Sequence, residues 1–434
     1  MSGILLAPLA VALGSDAQKV PERSEIEKKY TWATENIFTS DEEWEAEFAA
    51  VKAMIPKLAA YKGTLGQSAE NLLESARLQD ELEPRLSRVY VYASLNSDQD
   101  TRVGKYQAME SRARSLSIEY GQAMSWAEPE LTSIPWERLD SWMRENKDLS
   151  LYRHALENLF RQKKYILSPR EEELMAMAGE VRSTPGNAYN FLSNADIEFP
   201  TIKDEKGQTR ELDDSAFYLF MRSPDRQVRK DAYEAIVGTY AKYRNTAAAL
   251  LNGAVQDHLF TVKARGYDGC LPAALHETNI PVEVYDTLVR TVNENLPLLH
   301  RYQELRKRAL QFEDGVHAYD LFAPFIAEQN LEYTYEEAVD MIVTGLEPLG
   351  SDYLAPMKKG FASRWVDVFP TKGKRSGAYS SGTYLTQPYI LLNFHGSYED
   401  MSTLAHEMGH SMHSYLSRKT QPYVYADYAT FCAE

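Results

Sequence analysis

The sequence is poor in cysteine and contains no run of basic residues. Only Cys270 and Cys432 occur in 434 residues, so the chain has no disulfide framework, and a reducing compartment is favoured. Lys and Arg number 47 against 63 Asp and Glu, and the formal net charge is −16. Without a basic stripe to contact phosphates, we expect no nucleic-acid partner. We expect Cys432 to behave as a small buried apolar residue.

The sequence also lacks an apolar run long enough to cross a membrane, so we expect no membrane partner. The apolar run from Ile4 to Leu13 contains Pro8 and has no Lys or Arg before it. A membrane-spanning helix needs about 20 apolar residues. The segment after the run, 14–17, resembles the end of a signal peptide. Residues 1–20 are therefore interpreted as a ragged or signal-like N-terminus, with a cytoplasmic location expected and export as the alternative.

What the sequence does contain is typical of a large globular protein with mostly helical periodicity. Hydrophobic residues make up 44% and charged residues 25%. Apolar spacing predicts helices over 41–61 and 68–95. Gly207 and its polar neighbours predict a short hairpin between Ile197 and Leu212. We expect a mainly α chain divided near 185–215 into an N-terminal helical lobe, 21–200, and a second lobe, 201–434.

The most informative stretch of the chain is His406-Glu407-Met408-Gly409-His410. On a helix, residues four apart lie on one face, so both imidazole rings can reach a single metal ion. Glu407 is rotated by roughly a quarter-turn from His406, which places it close to that ion without making it a ligand. This is the H-E-x-x-H pattern of zinc peptidases, in which the glutamate handles protons.

The surrounding residues support a helix at this motif. No proline occurs between Asp400 and Leu416. Ser402 or Thr403 is the expected N-cap, with Glu399 and Asp400 near the positive end of the helix dipole.

A zinc hydrolase needs a third protein ligand and an open position for water. His413 lies near the same helical face, but it is about 10 Å along the axis from His406, too far for one ion. The metzincin pattern is not expected, because His413 and Leu416 stand where its glycine and third histidine belong. Asp427 and Glu434 remain as candidate carboxylate ligands.

The strand-forming part of the chain lies just before the motif. Residues 376–382 are small and turn-rich, and Tyr384 to Phe394 carries β-forming residues interrupted by Pro388. The proline favours an edge strand over a central one. An edge strand has free backbone N–H and C=O groups, which can pair with an extended peptide.

Residues 402–434 resemble the active-site segment of the oligoendopeptidase F family, relatives of thimet oligopeptidase and neurolysin. The similarity extends to 374–394, which resembles the substrate-side strands of that family, and to 151–175 and 24–47. It therefore covers nearly the whole chain. In this family the third zinc ligand is a glutamate in an Ala-Glu context, which Ala433-Glu434 matches.

The resemblance implies one zinc ion per chain, with Glu407 as the general base for the attacking water. The implied zinc ligands are His406, His410 and Glu434. The residues that it places near the substrate are Gly377, Ala378, Tyr379 and His395.

The resemblance also implies a fold and a function. The expected fold is mainly α, with two helical lobes around a deep channel and a small β-sheet beside a thermolysin-like zinc helix. The expected reaction is hydrolysis of internal bonds in short unfolded oligopeptides. Family chains continue past the third ligand, whereas this sequence stops at Glu434. We therefore expect an incomplete catalytic lobe with little activity. A zinc aminopeptidase and a non-enzymatic peptide-binding protein remain alternatives.

Overall fold

The computed structural model describes residues 20–324 and 332–433. Residues 1–19 of the predicted N-terminal segment and the proposed ligand Glu434 lie outside this part of the chain. Across the described ranges, no helix is both long enough and apolar enough to cross a membrane.

The described chain is mainly helical, as the sequence predicts. The helices of the first half are α1 Asp41–Ala59, α2 Ala69–Gln99, α3 Gly104–Met124, α4 Ala127–Ser133, α5 Trp136–Glu145, α6 Arg153–Gln162, α7 Pro169–Met177, α8 Gly179–Arg182 and α9 Thr184–Phe191. Those of the second half are α10 Asp214–Phe220, α11 Arg226–Lys242, α12 Arg244–Arg265, α13 Cys270–His276, α14 Val282–Ala309, α15 Tyr335–Gly345, α16 Ser351–Ala362 and α17 Tyr398–Thr420. The helices predicted over 41–61 and 68–95 are confirmed as α1 and α2.

Two small sheets interrupt the helices. The predicted hairpin is confirmed as β1, Ile202–Lys203, paired antiparallel with β2, Thr209–Arg210. The second sheet contains β3 Val366–Asp367, β4 Tyr379–Ser381 and β5 Tyr389–Leu391, in the order β3-β5-β4. β5 runs parallel to β3 and antiparallel to β4.

The strand that follows Pro388 is central, so the prediction of an edge strand over 384–394 was wrong. β5 begins at Tyr389, one residue after the proline, so Pro388 removes no N–H from the described ladder. The outer strand next to β5 is β4, which comes from the turn-rich segment 376–382. Its small residues are compatible with an outer position, where less apolar surface has to be covered.

β5 is buried on both faces because helices from the two halves of the chain pack on opposite sides of it. Tyr389 and Leu391 belong to a core that also contains buried residues of α1, α2 and α3. Ile390 points to the other face and joins a core that contains residues of α15, α16 and α17. All three β5 residues are 0% exposed. The sheet therefore fixes α17, which carries the H-E-x-x-H motif, relative to the N-terminal helices.

Candidate active site

The helix that carries the two histidines, α17, begins at Tyr398, about two turns before His406. Its N-cap is Ser397, whose side chain accepts a hydrogen bond from the backbone N–H of Asp400 at 3.2 Å. The carboxylate of Asp400 in turn accepts from the backbone N–H of Ser397 at 2.9 Å, which completes a capping box. The prediction of Ser402 or Thr403 as the cap was therefore wrong, because this reciprocal pair places the cap at Ser397, five residues before Ser402. Glu399 and Asp400 do lie in the first turn, as expected.

His406 and His410 lie on one face of α17, as their spacing predicts. The Nε2 atoms of the two rings are 3.0 Å apart, and the ring planes are nearly perpendicular. The rings converge at the surface of the helix, since His406 is exposed and His410 is half-buried. Two imidazole nitrogens that point to one place form a pair of donors for a metal ion.

Glu407 occupies a different environment from the histidine beside it. Its side chain is 8% exposed, and it is among the few buried charged residues of the described chain. Met408 and Met412 on the same helix are fully buried in the core under the sheet. This packing fixes the rotation of α17, so that the two histidines face outward while Glu407 lies at the boundary of the core.

The structure shows the contacts of two residues considered as a third metal ligand, His413 and Asp427. His413 stacks on Tyr428, with ring centroids 4.0 Å apart. Asp427 accepts a hydrogen bond from the backbone N–H of Tyr428 at 3.0 Å. Among residues 20–324 and 332–433, no group of three His, Cys, Asp or Glu side chains is arranged to hold a metal ion. Glu434 lies outside these ranges and stays the predicted third ligand.

The outer strand β4 contacts the motif helix directly. The hydroxyl groups of Ser380 and Ser411 are 2.8 Å apart, and Ser411 is the residue that follows His410. Ser411 is 0% exposed. The predicted substrate strand and the predicted metal helix are therefore joined by a part-buried hydrogen bond. Sequence reasoning missed both serines, because a serine pair 31 residues apart has no motif.

The opposite face of β4 is tied to α2 through Tyr379. Its hydroxyl donates a hydrogen bond to the carboxylate of Asp98 at 2.7 Å, and Arg375 lies 3.4 Å from the same carboxylate. Burial raises the pKa of Asp98, against the opposing effects of Tyr379 and Arg375. Burial also raises the pKa of the Tyr379 hydroxyl. The tyrosine hydroxyl is thus occupied by an internal partner, Asp98.

The loop before β4 is held by the end of β5 and by a buried ion pair. Asn393 donates two hydrogen bonds from its amide, to the carbonyl of Gly377 at 2.9 Å and to that of Arg375 at 3.1 Å. Gly377 has a φ of 82°, in the left-handed region that favours glycine. Lys374, whose side chain is 0% exposed, pairs with Asp367 at 2.8 Å. This loop is therefore positioned by tertiary contacts on several sides.

The buried carboxylate of Asp367, which pairs with Lys374, has a second cationic partner. The guanidinium of Arg23 also pairs with Asp367, at 2.6 Å. Burial by itself would raise the pKa of Asp367, but Lys374 and Arg23 outweigh it and hold that pKa below its usual range. Burial lowers the pKa of Lys374.

The other predicted residues are more exposed. Ala378 is half-buried against the core under the sheet. His395 is exposed just before α17, and its backbone N–H donates to the carboxylate of Asp400 at 3.1 Å. Cys432 was expected to be buried but is exposed. It lies in a short 3₁₀ turn, Thr430–Cys432, that none of the main cores covers.

A cavity of about 800 Å³ lies beside the end of β4. Its wall includes Gly382 and Tyr384, which follow the strand, and Arg418, which lies about two turns beyond His410 on α17. The far side of the wall is formed by residues of α2, including Asp80 and Glu83. Burial lowers the pKa of Arg418.

Comparison with known proteins identifies the family. The profile of "Peptidase family M3" matches residues 219–434, and that of "Oligopeptidase F" matches residues 130–199. An oligoendopeptidase F homologue of Lactococcus lactis subsp. lactis is 40% identical over 413 residues, which cover 95% of this chain and 68% of the relative. The chain belongs to the oligopeptidase F group of peptidase family M3.

Other members of the family show how far the similarity extends. Oligopeptidase PepF of Bacillus subtilis is 45% identical over 426 residues, which cover 98% of this chain and 63% of the relative. The crystal structure of oligoendopeptidase-F from Enterococcus faecium matches 86% of this chain and 63% of that one, with 32% identity and a TM-score of 0.66. The chain thus spans roughly two thirds of the length of these relatives.

Peptidases of family M3 use zinc, and the histidine pair fits this metal. Zinc–nitrogen bonds are about 2.0–2.1 Å long, so two nitrogens bound tetrahedrally lie roughly 3.3 Å apart. The observed separation of 3.0 Å between the Nε2 atoms is close to that value. Neutral imidazole nitrogens with an added carboxylate are also the ligand chemistry that zinc hydrolases use.

Proposed function

We propose that the chain carries the site of a zinc-dependent endopeptidase that hydrolyses internal bonds of short unfolded oligopeptides. The observation that carries this proposal is the convergence of the His406 and His410 nitrogens on a helix that contacts an outer β-strand. Membership in the oligopeptidase F group supports the same reaction class. Cytoplasmic location stays a prediction.

The proposed roles follow from the chemistry of each side chain. His406, His410 and Glu434 would hold the metal. When bound, zinc supplies Lewis-acid polarisation of the peptide carbonyl and lowers the pKa of the bound water towards about 7. Glu407 accepts a proton from the attacking water and passes it to the departing amine. Its position beside His406, at the edge of the core, supports this role.

Peptide binding is proposed to use main-chain groups of the outer strand. β4 has one neighbour, β5, in the described sheet, so its other side is open for a further strand. Pairing of main chain with main chain tolerates many side chains, which suits a peptidase that acts on varied oligopeptides. We propose Gly377, Ala378, Tyr379 and His395 as the residues nearest to the bound peptide.

We further propose that the helices form two lobes, 21–200 and 201–434, around a deep channel. The cavity beside β4 supports this arrangement, because its wall combines residues of α2 with residues of the C-terminal segment that follows α17. A channel of this kind would admit unfolded peptides and exclude folded proteins.

The first test is the metal content of the purified chain, measured by native mass spectrometry. We expect one zinc per chain, lost in His406→Ala and kept in His413→Ala. The second substitution is a matched control, because His413 lies on the same helix but stacks on Tyr428 instead of facing His410. Zinc retained by His406→Ala, or lost equally by both variants, would remove His406 from the metal site.

The second test separates an endopeptidase from the alternatives. The zinc-loaded chain is incubated with oligopeptides that carry either a free or an acetylated N-terminus, and the products are mapped by mass spectrometry. Internal cleavage of both peptides is expected. An aminopeptidase would leave the acetylated peptide intact, and a non-enzymatic peptide-binding protein would bind both without cleaving either.

A further inference from the structure

The hydrogen-bond pattern of the three-stranded sheet shows which backbone groups of β4 face its open side. The backbone N–H of Ile390 donates to the carbonyl of Trp365, on the β3 side of the sheet. The N–H and C=O of one strand residue point to the same side, and neighbouring residues alternate. Tyr389 and Leu391 therefore face β4, while Ile390 does not. Ile390 is the register partner of Ser380, so this pair is of the non-hydrogen-bonded type.

It follows that Ser380 turns its backbone N–H and C=O away from β5, towards the open edge. Tyr379 and Ser381 use theirs to pair with Leu391 and Tyr389. Within the described strand β4, Ser380 is thus the residue whose main chain is placed to pair with an added strand. Its neighbours are committed to the existing sheet.

The side chain of this same residue is attached to the motif helix. The Ser380 hydroxyl lies 2.8 Å from the hydroxyl of Ser411, which is fully buried next to His410. Ser380 points to this face because side chains alternate along a strand, and Tyr379 correspondingly points to Asp98 on the other face. One short contact therefore links the peptide-pairing amide to the residue after a proposed metal ligand.

We propose that Ser380 and Ser411 form a positioning pair that holds the peptide-binding edge of β4 at a fixed distance from the H-E-x-x-H helix. This inference rests on the proposed peptidase function and adds two residues to it. The main chain of Ser380 contacts the peptide, whereas Ser411 acts through Ser380. Loss of either hydroxyl would let the outer strand shift relative to His410, so that a paired peptide is held less firmly.

The experiment measures binding of a fluorescent oligopeptide by anisotropy in a Glu407→Gln background, which is expected to block turnover. A neutral hydrogen bond contributes about 0.5–1.5 kcal/mol, so Ser411→Ala should weaken peptide binding by about twofold to twelvefold. Ser380→Ala should weaken it to a similar extent. The double variant should bind no worse than either single variant, because one interaction is lost in each case.

Two further variants distinguish positioning from a general loss of stability. Ser380→Thr keeps the hydroxyl and suits a strand, so it should restore binding relative to Ser380→Ala. Ser417→Ala is the matched control, because it removes a serine hydrogen bond from the same helix, to the carbonyl of Ala426 at 2.7 Å, without touching β4. Ser417→Ala should bind like the parent. Zinc content should be unchanged in all of these variants.

Hydrogen exchange supplies a readout at the strand itself. Peptide addition should slow exchange of the Ser380 amide in the parent, and this protection should be smaller in Ser411→Ala. Parent-like affinity and protection in Ser411→Ala would overturn the positioning pair and leave the peptidase proposal intact. If the parent showed no peptide binding at all, the peptide-binding part of the proposed function would fail, and the pair would fail with it.

Discussion

The hydrogen bond between Tyr379 and Asp98 offers a quantitative test of how the outer strand is anchored. Asp98 is 8% exposed, and the Tyr379 hydroxyl donates to it at 2.7 Å. The remaining charged partner, Arg375, is 3.4 Å away, and 61% of its side chain is exposed. Tyr379→Phe removes the shorter contact and leaves the buried carboxylate with the weaker one.

The expected loss follows from the charge on Asp98. A hydrogen bond to a charged group contributes about 1.5–3 kcal/mol, so Tyr379→Phe should lower the free energy of unfolding by about 2 kcal/mol at neutral pH. The contribution of Arg375 is small, because exposed ion pairs are worth about 0–1 kcal/mol. This prediction concerns stability alone and does not depend on the proposed peptidase function.

The pH dependence has a definite sign. Burial raises the folded-state pKa of Asp98 above its unfolded value, so Asp98 favours folding most at low pH, and this contribution is lost as the pH rises through the folded-state pKa. The Tyr379 hydroxyl stabilises the charged carboxylate and opposes that shift. Its removal raises the pKa of Asp98 further. The destabilisation caused by Tyr379→Phe should therefore be smallest in acid and should grow towards neutral pH.

The assay is urea unfolding followed by tryptophan fluorescence, at several pH values between about 4 and 8. Tyr398→Phe is the control, because it removes a tyrosine hydroxyl from a residue that is 66% exposed. The reasoning would be refuted by a loss in Tyr379→Phe no larger than that of the control. A loss of the same size at every pH would refute the role given to the Asp98 charge.

Two further predictions concern the proton carrier and the loop before β4. Glu407→Gln should keep zinc and lower peptide turnover by about 10²–10⁴-fold, because general acid–base catalysis is removed; near-parental turnover in a zinc-loaded sample would contradict the assignment. Lys374→Met should destabilise the fold by about 3 kcal/mol, because it leaves a buried Asp367 with one cationic partner fewer. The control Lys372→Met breaks a more exposed pair with Glu22 and should cost much less than Lys374→Met in the same unfolding assay. Equal losses in the two lysine variants would show that the buried Lys374 pair contributes no more to stability than the exposed Lys372 pair.

The placement of the two histidines could be predicted from sequence because it depends on local geometry alone. Any helix puts residues 406 and 410 on one face, and the structure confirms this with the 3.0 Å contact between their rings. The helices α1 and α2 and the hairpin of β1 and β2 were predictable for the same reason. Helical periodicity and turn residues are local features of the sequence, so they can be recognised without knowledge of the tertiary structure.

The order of the strands and the anchoring of β4 depended on the tertiary structure. Pro388 indicated an edge strand by a local rule, yet the strand after it lies between two others and is buried on both faces. The position of a strand in a sheet depends on pairing between segments far apart in the chain. The sequence of a short apolar run does not show which other segments it pairs with. The hydrogen bond between Asp98 and Tyr379 joins residues 281 positions apart, so local sequence could not predict it either.

The sequence by itself determined that His406 and His410 face one place on a helix with Glu407 beside them, because that arrangement needs only the helical spacing. The tertiary structure alone decided which backbone amide faces the open edge of the sheet, since strand pairing turns every second residue outward. It also decided that the side chain of that residue contacts the motif helix, because Ser380 and Ser411 are brought together only when β4 and α17 pack against each other.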